Sequence, residues 1–411
     1  MRILLVTEDI PAAMIGGAGQ HAVVLGNALI DAGHEVHLLG YRRPPGFQGN
    51  CGFRGTLHTT IDFTGARWQE GRLGIFSPLA RPHTARRIWR AIRALAGNWD
   101  VVHYHGHNPL LGTLVPASWN FVHTLHDQGA ECITKSRFRL GEICTETSPS
   151  ACASCASPKP NAVQRWLSER AVVALRRGSL ASFTRHRAVF VSAFLQRRYF
   201  AVMGIDAAEI QSEVIHHFID GRALKHAQLA AVSPADRDNG RLSVLVAARI
   251  DATKGVGSFL DSIDDAFLSK ATVTVCGDGP NLASVQAKHA HRGVRFKGWQ
   301  SHDKVLALTK GADVCVIPSV WEEAFGGTTA EALCMGRAVY ALRRGATPEL
   351  VAYAAPGQLR MFGSIGELAS ALSSFEVVEW PMHNRAVVEE RLGALLTSYS
   401  RKMPASAEVA Q

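Results

Sequence analysis

No stretch of this sequence approaches the ~20 consecutive apolar residues that a membrane-spanning helix requires. The opening run MRILLVTEDIPAA turns acidic before the apolar core of an export signal develops. Both readings make the cytoplasm the expected location. Cysteine is scarce, 8 in 411 residues, too few for a disulfide scaffold in so long a chain. Aromatics make up only 8% and no basic stripe is interleaved with them, which argues against a nucleic-acid partner. No internal repeat or low-complexity tract is visible, and the tail Pro404–Gln411 reads as a frayed end. The first strand is not followed by a GxGxxG turn with an acidic residue ~20 positions on, which disfavours a dinucleotide-dependent dehydrogenase.

What is present is a folded-protein composition. The chain is 47% hydrophobic and 19% charged, long enough for two or three domains of ~150 residues. Lys and Arg number 44 against 35 Asp and Glu, a formal charge of +9, with 18 His besides. Such a balance favours anionic partners, phosphorylated small molecules and lipid headgroups among them.

Short apolar runs alternate with helical stretches. A strand Arg2–Thr7, a Gly-rich turn at Gly16, Gly17 and Gly19, a helix from about Gln20 to Ala32 and a strand Glu35–Leu39 make a β-α-β opening. Strand-length runs follow at Val101–Tyr104, Phe121–Thr124, Val189–Ser192 and Val214–His217. Lys225–Gly240 loses the pattern and reads as a linker. A second series then runs through Leu242–Ala247, Thr272–Cys276, Val294–Lys297, Val314–Pro318 and Ala338–Leu342, with helical stretches such as Val256–Phe267 and Lys304–Thr309. The expected fold is α/β, two Rossmann-like doubly wound domains facing a shared cleft. The domains are expected at 1–225, with a Cys-rich insert at about 130–160, and at 241–375, separated by a linker at 226–240. Residues 376–411 form a C-terminal helix and tail that could pack back on the first domain.

The segment Trp321–Met335 places Glu323 and Glu331 on either side of Gly326 and Gly327, glycines that let a ligand approach the backbone at a helix start. Glu331 has two readings here. It completes a capping box with Thr328, or it accepts hydrogen bonds from sugar hydroxyls. Upstream, Arg249 and Lys254 flank a loop after a strand, a guanidinium fork and a mobile point charge suited to a departing diphosphate. Two solvated surface cations would look the same. Cys276-Gly277-Asp278-Gly279-Pro280 ends a strand in a turn that either lies near a nucleotide base or is structural.

Together with Gly16-Gly17, Gly33-His34-Glu35-Val36, His126-Asp127, Phe325-Gly326 and Pro348-Glu349, these motifs give the chain a resemblance to the family 4 glycosyltransferases, retaining enzymes with the two-domain GT-B fold. The resemblance implies that Arg249 and Lys254 bind the donor diphosphate and Glu331 the ribose. It gives the transferred sugar to Glu323 and the Phe325–Gly327 backbone, and sets Gly16 and Gly17 beside the phosphates, with Gly279 on the donor side. His126 looks like the active-site histidine that contacts the donor sugar, with Asp127 orienting it. The implied catalytic set is His126, Glu323, Arg249 and Lys254. The implied reaction moves a hexosyl-type sugar from a UDP- or GDP-sugar to a sugar or lipid-linked acceptor hydroxyl, in surface polysaccharide or glycoconjugate synthesis. It proceeds without a metal, since no strand-end Asp-x-Asp is present and Asp261, Asp264 and Asp265 fall on a helical stretch. The sequence departs from the family at His216-His217, where many members have Asn-Gly, and at Ala324, where proline is frequent. Alternatives that keep the fold are a sugar-nucleotide epimerase and a phosphorylase, and a non-enzymatic nucleic-acid binder stands behind them.

Two features stand outside the motifs. Cys132, Cys144, Cys152 and Cys155 crowd one segment, as a structural zinc site or as free thiols or occasional disulfides. Arg86, Arg87, Arg90 and Arg93 recur at helical spacing with Ile88, Trp89 and Ile92 between them, either an ordinary surface helix or a peripheral contact at the inner membrane face.

Overall fold

The computed structural model describes residues 1–10, 16–42, 51–62, 76–95, 97–155, 161–230, 240–378, 380–382 and 386–401, and for 76–80 and 386–390 the backbone alone. The tail Pro404–Gln411 and most of the expected linker, 231–239, lie outside these residues. The chain divides into two compact units, Met1–Arg137 with Cys144–Phe218 and the stretch from Glu389, and Phe138–Ile143 with Ile219–Val388.

The first unit is built on seven parallel strands: β1 (Arg2–Thr7), β2 (Glu35–Tyr41), β3 (Thr56–Ile61), β4 (Val101–His105), β5 (Phe121–Leu125), β8 (Arg187–Phe190) and β9 (Ser212–Val214). The two-residue strands β6 (Phe138–Arg139) and β7 (Glu142–Ile143) form a separate antiparallel pair. The sheet order is β3-β2-β1-β4-β5-β8-β9. Ile3, Leu4, Leu5 and Val6 are fully buried, as expected where helices cover both faces of a parallel sheet. Each such side chain contributes roughly 1.5–3 kcal/mol by leaving water. The C-terminal helix Ala386–Ser400 places the buried Tyr399 hydroxyl 2.6 Å from His103 Nδ1, and its backbone accepts from Asn120.

The second unit carries six parallel strands: β10 (Leu242–Ala247), β11 (Ala271–Cys276), β12 (Arg295–Gly298), β13 (Val314–Ile317), β14 (Ala338–Leu342) and β15 (Leu359–Phe362), in the order β12-β11-β10-β13-β14-β15. Val244, Val246, Val273, Val314 and Val316 meet Phe259 and Leu260 in its core.

In each sheet the chain first winds outward on one side and then restarts on the other, so the strand order reverses between β1 and β4 and again between β10 and β13. Crevices that bind ligands in open parallel sheets open at such reversals, outside the carboxyl ends of the strands. The loops after β1, β4, β10 and β13 therefore claim attention first.

Several local expectations are corrected. The expected strand Val189–Ser192 is Arg187–Phe190, because Ser192 caps the helix Ala193–Met203 by accepting from the Leu195 amide. Val214–His217 is strand only at Val214, its extended part lying at Ser212–Val214. Residues 225–229 are not linker but the end of the helix Gly221–Leu229. Asp220 caps its start, and Lys310 Nζ takes the Gln228 and Ala230 carbonyls at its end. Val256–Phe267 is two helices, broken where Asp264 accepts from the Phe267 amide. In the helix Phe76–Ala94, Ile88 and Ile92 are buried in the unit's own core and Trp89 packs on Trp119. Its apolar side is thus occupied, while Arg86, Arg90 and Arg93 are exposed.

Candidate functional site

At the β10/β13 reversal the loop after β10 carries Arg249 and Lys254. Asp251 organises it: one carboxylate oxygen accepts from the Thr253 amide and hydroxyl and from the Lys254 amide, and the other lies 3.1 Å from Arg249 Nε. Arg249 remains largely exposed, its side chain 69% accessible. Lys254 turns toward the loop after β13. There its Nζ sits 2.6 Å from Glu323 Oε1 and 4.8 Å from the centre of the Trp321 ring. Burial would push the Glu323 carboxyl up, but the Lys254 charge and hydrogen bonds from Lys254 and Ser319 hold it below the usual glutamate range. The site thus contains a nearly buried carboxylate kept ionised by one ammonium.

Glycines make this geometry feasible. Gly277 adopts φ +143°, and a Cβ there would run into the Ala248 carbonyl, while a Cβ on Gly279 would meet the Ile250 backbone. The Gly-Asp-Gly turn therefore packs directly beneath the Arg249 segment, and the Ile250 amide donates to the Asp278 carbonyl at 2.9 Å. Gly326, at φ +94°, is the residue before the helix Gly327–Cys334, and no side chain caps that helix. Of the two readings of Glu331, the capping box with Thr328 does not form, because the helix starts at Gly327 with Gly326 as its cap and Thr328 lies inside the first turn. Glu331 instead pairs with His302, 2.8 Å away on the helix His302–Gly311. Burial lowers the basicity of His302, but its hydrogen bond to Glu331 and the Glu331 charge outweigh that and leave its pKa raised. The Phe325 ring is buried against Tyr353, which leaves only its backbone to face a ligand.

The first unit's reversal is lined by histidines. His126, just past β5, places Nε2 3.1 Å from His105 Nδ1 and Nδ1 2.8 Å from His217 Nε2. His21, from the helix Gly17–Asp31, stacks among them, 5.1 Å from His126 and 4.7 Å from His217 between ring centres. Burial first, and mutual repulsion second, hold His21, His105 and His126 well below the usual histidine pKa, while His103 and His217 fall to about 3. The cluster is a set of neutral imidazoles. Asp127 does not orient His126. Its carboxylate pairs with His107 at 2.6 Å and accepts from the Gly129 amide. The Asp127 charge raises the His107 pKa against the effect of burial.

Ligand atoms of His21, His105 and His126 lie within 4.8 Å of one another, close enough to suggest a metal. The hydrogen bonds argue otherwise. The Phe218 amide donates to His21 Nδ1 at 3.2 Å, so the neutral ring carries its proton on Nε2 and has no free lone pair. A metal-bound histidine donates from its second nitrogen instead. Gly16 and Gly17 open the helix that carries His21, and nothing lies within 4 Å of where their Cβ atoms would be.

Residues 15–221 match Glycosyltransferase Family 4, and residues 241–375 match Glycosyl transferases group 1. The chain belongs to Glycosyltransferase Family 4. Its two parallel-sheet α/β units have the GT-B fold. The 2-deoxystreptamine glucosyltransferase of Streptomyces kanamyceticus is 35% identical over 102 residues, 24% of this chain and 26% of that protein. The match thus spans about a quarter of that relative's length. The glycogen synthase of Mycobacterium tuberculosis is 26% identical over 91% of this chain and 86% of its own. Among solved structures, Anabaena HepE in complex with UDP-glucose aligns with a TM-score of 0.60 over 97% of this chain and 100% of that one, at 14% identity.

Of the family motif residues, the structure joins Lys254 to Glu323, holds Arg249 on the same loop as Lys254 and over the Gly277–Gly279 turn, and gives Glu331 to His302. His126, Gly16 and Gly17 belong to the first unit. Missed from sequence were His302, Trp321 and the partners of His126. His21 sits four residues after Gly17, and His105 ends a strand. Those positions beside loops were the available signal.

Proposed function

We propose that this family member is a retaining glycosyltransferase that moves a hexosyl sugar from a UDP- or GDP-sugar to an acceptor hydroxyl. The acceptor is a sugar or a lipid-linked sugar. The observation that carries the reading is the Lys254–Glu323 pair at the β10/β13 reversal, with Arg249 on the same loop as Lys254. The donor's diphosphate would draw Lys254 away from Glu323 and bind it together with Arg249, a mobile point charge beside a bidentate fork. Glu323, released from its partner, would accept from sugar hydroxyls. Glu331 would take the ribose, its carboxylate aimed by His302.

In the chemical step the bond from the anomeric carbon to the β-phosphate oxygen breaks. The acceptor oxygen bonds to the same face of that carbon, and its proton passes to the departing phosphate oxygen. Arg249 and Lys254 stabilise the charge that grows on the leaving diphosphate, the largest contribution a site of this kind can make. No step in this scheme calls on a metal. His126 offers the substrate a neutral imidazole held in place by His105 and His217. Any contact with a membrane-bound acceptor would be electrostatic, through exposed Arg86, Arg90 and Arg93.

The test is release of nucleoside diphosphate from a donor panel, with and without candidate acceptors, and the anomeric configuration of the product. The reading expects release that depends on acceptor, a product with the donor's configuration, and kcat reduced at least tenfold in Glu323→Gln. Epimerised donor would instead favour the epimerase alternative, and equal release without acceptor would contradict transfer to an acceptor.

A further inference from the structure

The segment after β5 is poorly equipped to hold its own shape. Between residues 127 and 155 the regular structure amounts to a 3-10 turn, the two-residue pair β6 and β7 and the five-residue helix Pro149–Ala153. Three of the four non-glycine residues with positive φ among the described residues, Lys135, Arg137 and Leu140, fall here. The local apolar cluster is Ile133, Val172 and Leu175, and Cys152 and Cys155 pack against it. A loop with so small a core and so costly a backbone needs another tether.

Two arginines tie together the stretches that carry Cys132, Cys144 and Cys152. Arg176, on the helix Ala162–Arg185, donates to the carbonyl of Glu131, the residue before Cys132, to the carbonyl of Thr147, and to Cys152 Sγ at 3.3 Å. Arg137 is buried and donates to the carbonyls of Cys144 and Glu146, at 2.9 and 2.8 Å. Cys152 Sγ lies 3.9 Å from that same Glu146 carbonyl, and the Cys155 amide donates to the Cys152 carbonyl one helical turn back. The buried Arg81 holds the other end, donating to the Gly129, Cys132 and Ile133 carbonyls. None of the four cysteines is assigned a disulfide.

We propose that Cys132, Cys144, Cys152 and Cys155 bind one structural zinc ion as thiolates. A tetrahedral Zn–S bond of about 2.3 Å sets the sulfurs about 3.8 Å apart. Thiolates approach so closely only around a cation. Among the described residues the histidine trio, not the four thiols, is the group whose ligand atoms lie within 4.8 Å, so binding includes rotation of the cysteine side chains inward. Four thiolates on Zn²⁺ leave a net charge of −2, and the guanidiniums of Arg137 and Arg176 are already in place to offset it. Binding releases the four thiol protons. The site is closed, with all four positions taken by sulfur, and so leaves no open position for substrate. Its effect is to fix the chain that leaves β5 directly after His126 and Asp127.

The experiment is elemental analysis of the full chain purified without chelator, beside Cys152→Ser/Cys155→Ser and, as a control outside the cluster, Cys51→Ser. The expected result is one zinc per chain in wild type and Cys51→Ser, and at least a tenfold loss in the double variant. Should the double variant fail to fold, cobalt substitution of wild type decides: the charge-transfer and visible bands of a tetrahedral tetrathiolate support the site. Metal-free folded protein whose four thiols react freely with a disulfide reagent would overturn the proposal. Iron with acid-labile sulfide in place of zinc would overturn it too. The readout does not depend on turnover, so its failure and the failure of the transferase reading are separate results.

Discussion

Replacing Lys254 with alanine should do more than remove a cation from a loop. Glu323 is only 9% exposed and its carboxylate has Lys254 Nζ at 2.6 Å. Removing one partner of a buried pair costs about 3–5 kcal/mol because the other charge stays buried and uncompensated. The Lys254 side chain is 21% accessible, which lets water enter and brings the expected loss to about 2–4 kcal/mol. For a domain of this size each kcal/mol moves the midpoint by about 2–4 °C, so the second unit's calorimetric transition should fall by roughly 5–15 °C. The pH dependence follows from the sign of the shift. Glu323 has a lowered pKa in the folded protein, so its contribution is present above the unfolded glutamate pKa and is lost as pH falls through the folded one. In Lys254→Ala burial, the largest influence, is opposed only by the Ser319 and Trp321 hydrogen bonds and raises that pKa, so the deficit of the variant should shrink as pH falls from 7 toward 5. Lys254→Met/Glu323→Gln should regain most of the stability and none of the activity. A loss below about 1 kcal/mol in Lys254→Ala, or a double variant no more stable than the single, would refute the pairing argument.

Three further outcomes are expected. His302 should titrate above an ordinary histidine by NMR, and Glu331→Gln should bring it down. Its contribution to stability is complete below the unfolded histidine pKa and is lost as pH rises through the folded one. The first unit should weaken in acid, because burial lowers the folded pKa values of His103 and His217 to about 3. The unfolded chain then binds more protons below its pKa of about 6.5, which costs on the order of 2 kcal/mol per histidine between pH 6.5 and 5, readable as a falling midpoint of that unit's melt. Gly277→Ala should cost about 1–3 kcal/mol through its φ of +143° and its collision with the Ala248 carbonyl. It should also weaken nucleotide binding by displacing Arg249, seen by calorimetric titration.

The central strands were legible because parallel strands covered on both faces appear as unbroken apolar runs. Arg2–Thr7, Leu242–Ala247 and Ala338–Leu342 have the boundaries expected of them. Of the strands in the two parallel sheets, those missed are β3, TLHTTI, and β15, LRMF, at the ends of their sheets, where one side is uncovered and polar residues interrupt the run. Motif residues could be marked from sequence, but their partners could not. Lys254 and Glu323 are 69 residues apart, and only the β10/β13 pairing brings their loops together. The histidine cluster depends on the register of β4 against β5, which places His105 opposite Thr124 and so near His126. No local pattern encodes that register. Glu331 was ambiguous because a capping box is a pattern of residue types, and the helix start at Gly327 that forbids it here is a matter of conformation.

The central claim is that the second unit binds a nucleoside diphosphate through Arg249 and Lys254. Isothermal titration of UDP, GDP, UDP-glucose and GDP-mannose into wild type, Arg249→Ala and Lys254→Ala tests it most directly. The account predicts saturable one-site binding of one nucleotide series to wild type, weakened at least tenfold in each variant, with both variants folded at the temperature of the titration. Binding of equal strength in all three proteins, or none to folded wild type, would contradict it.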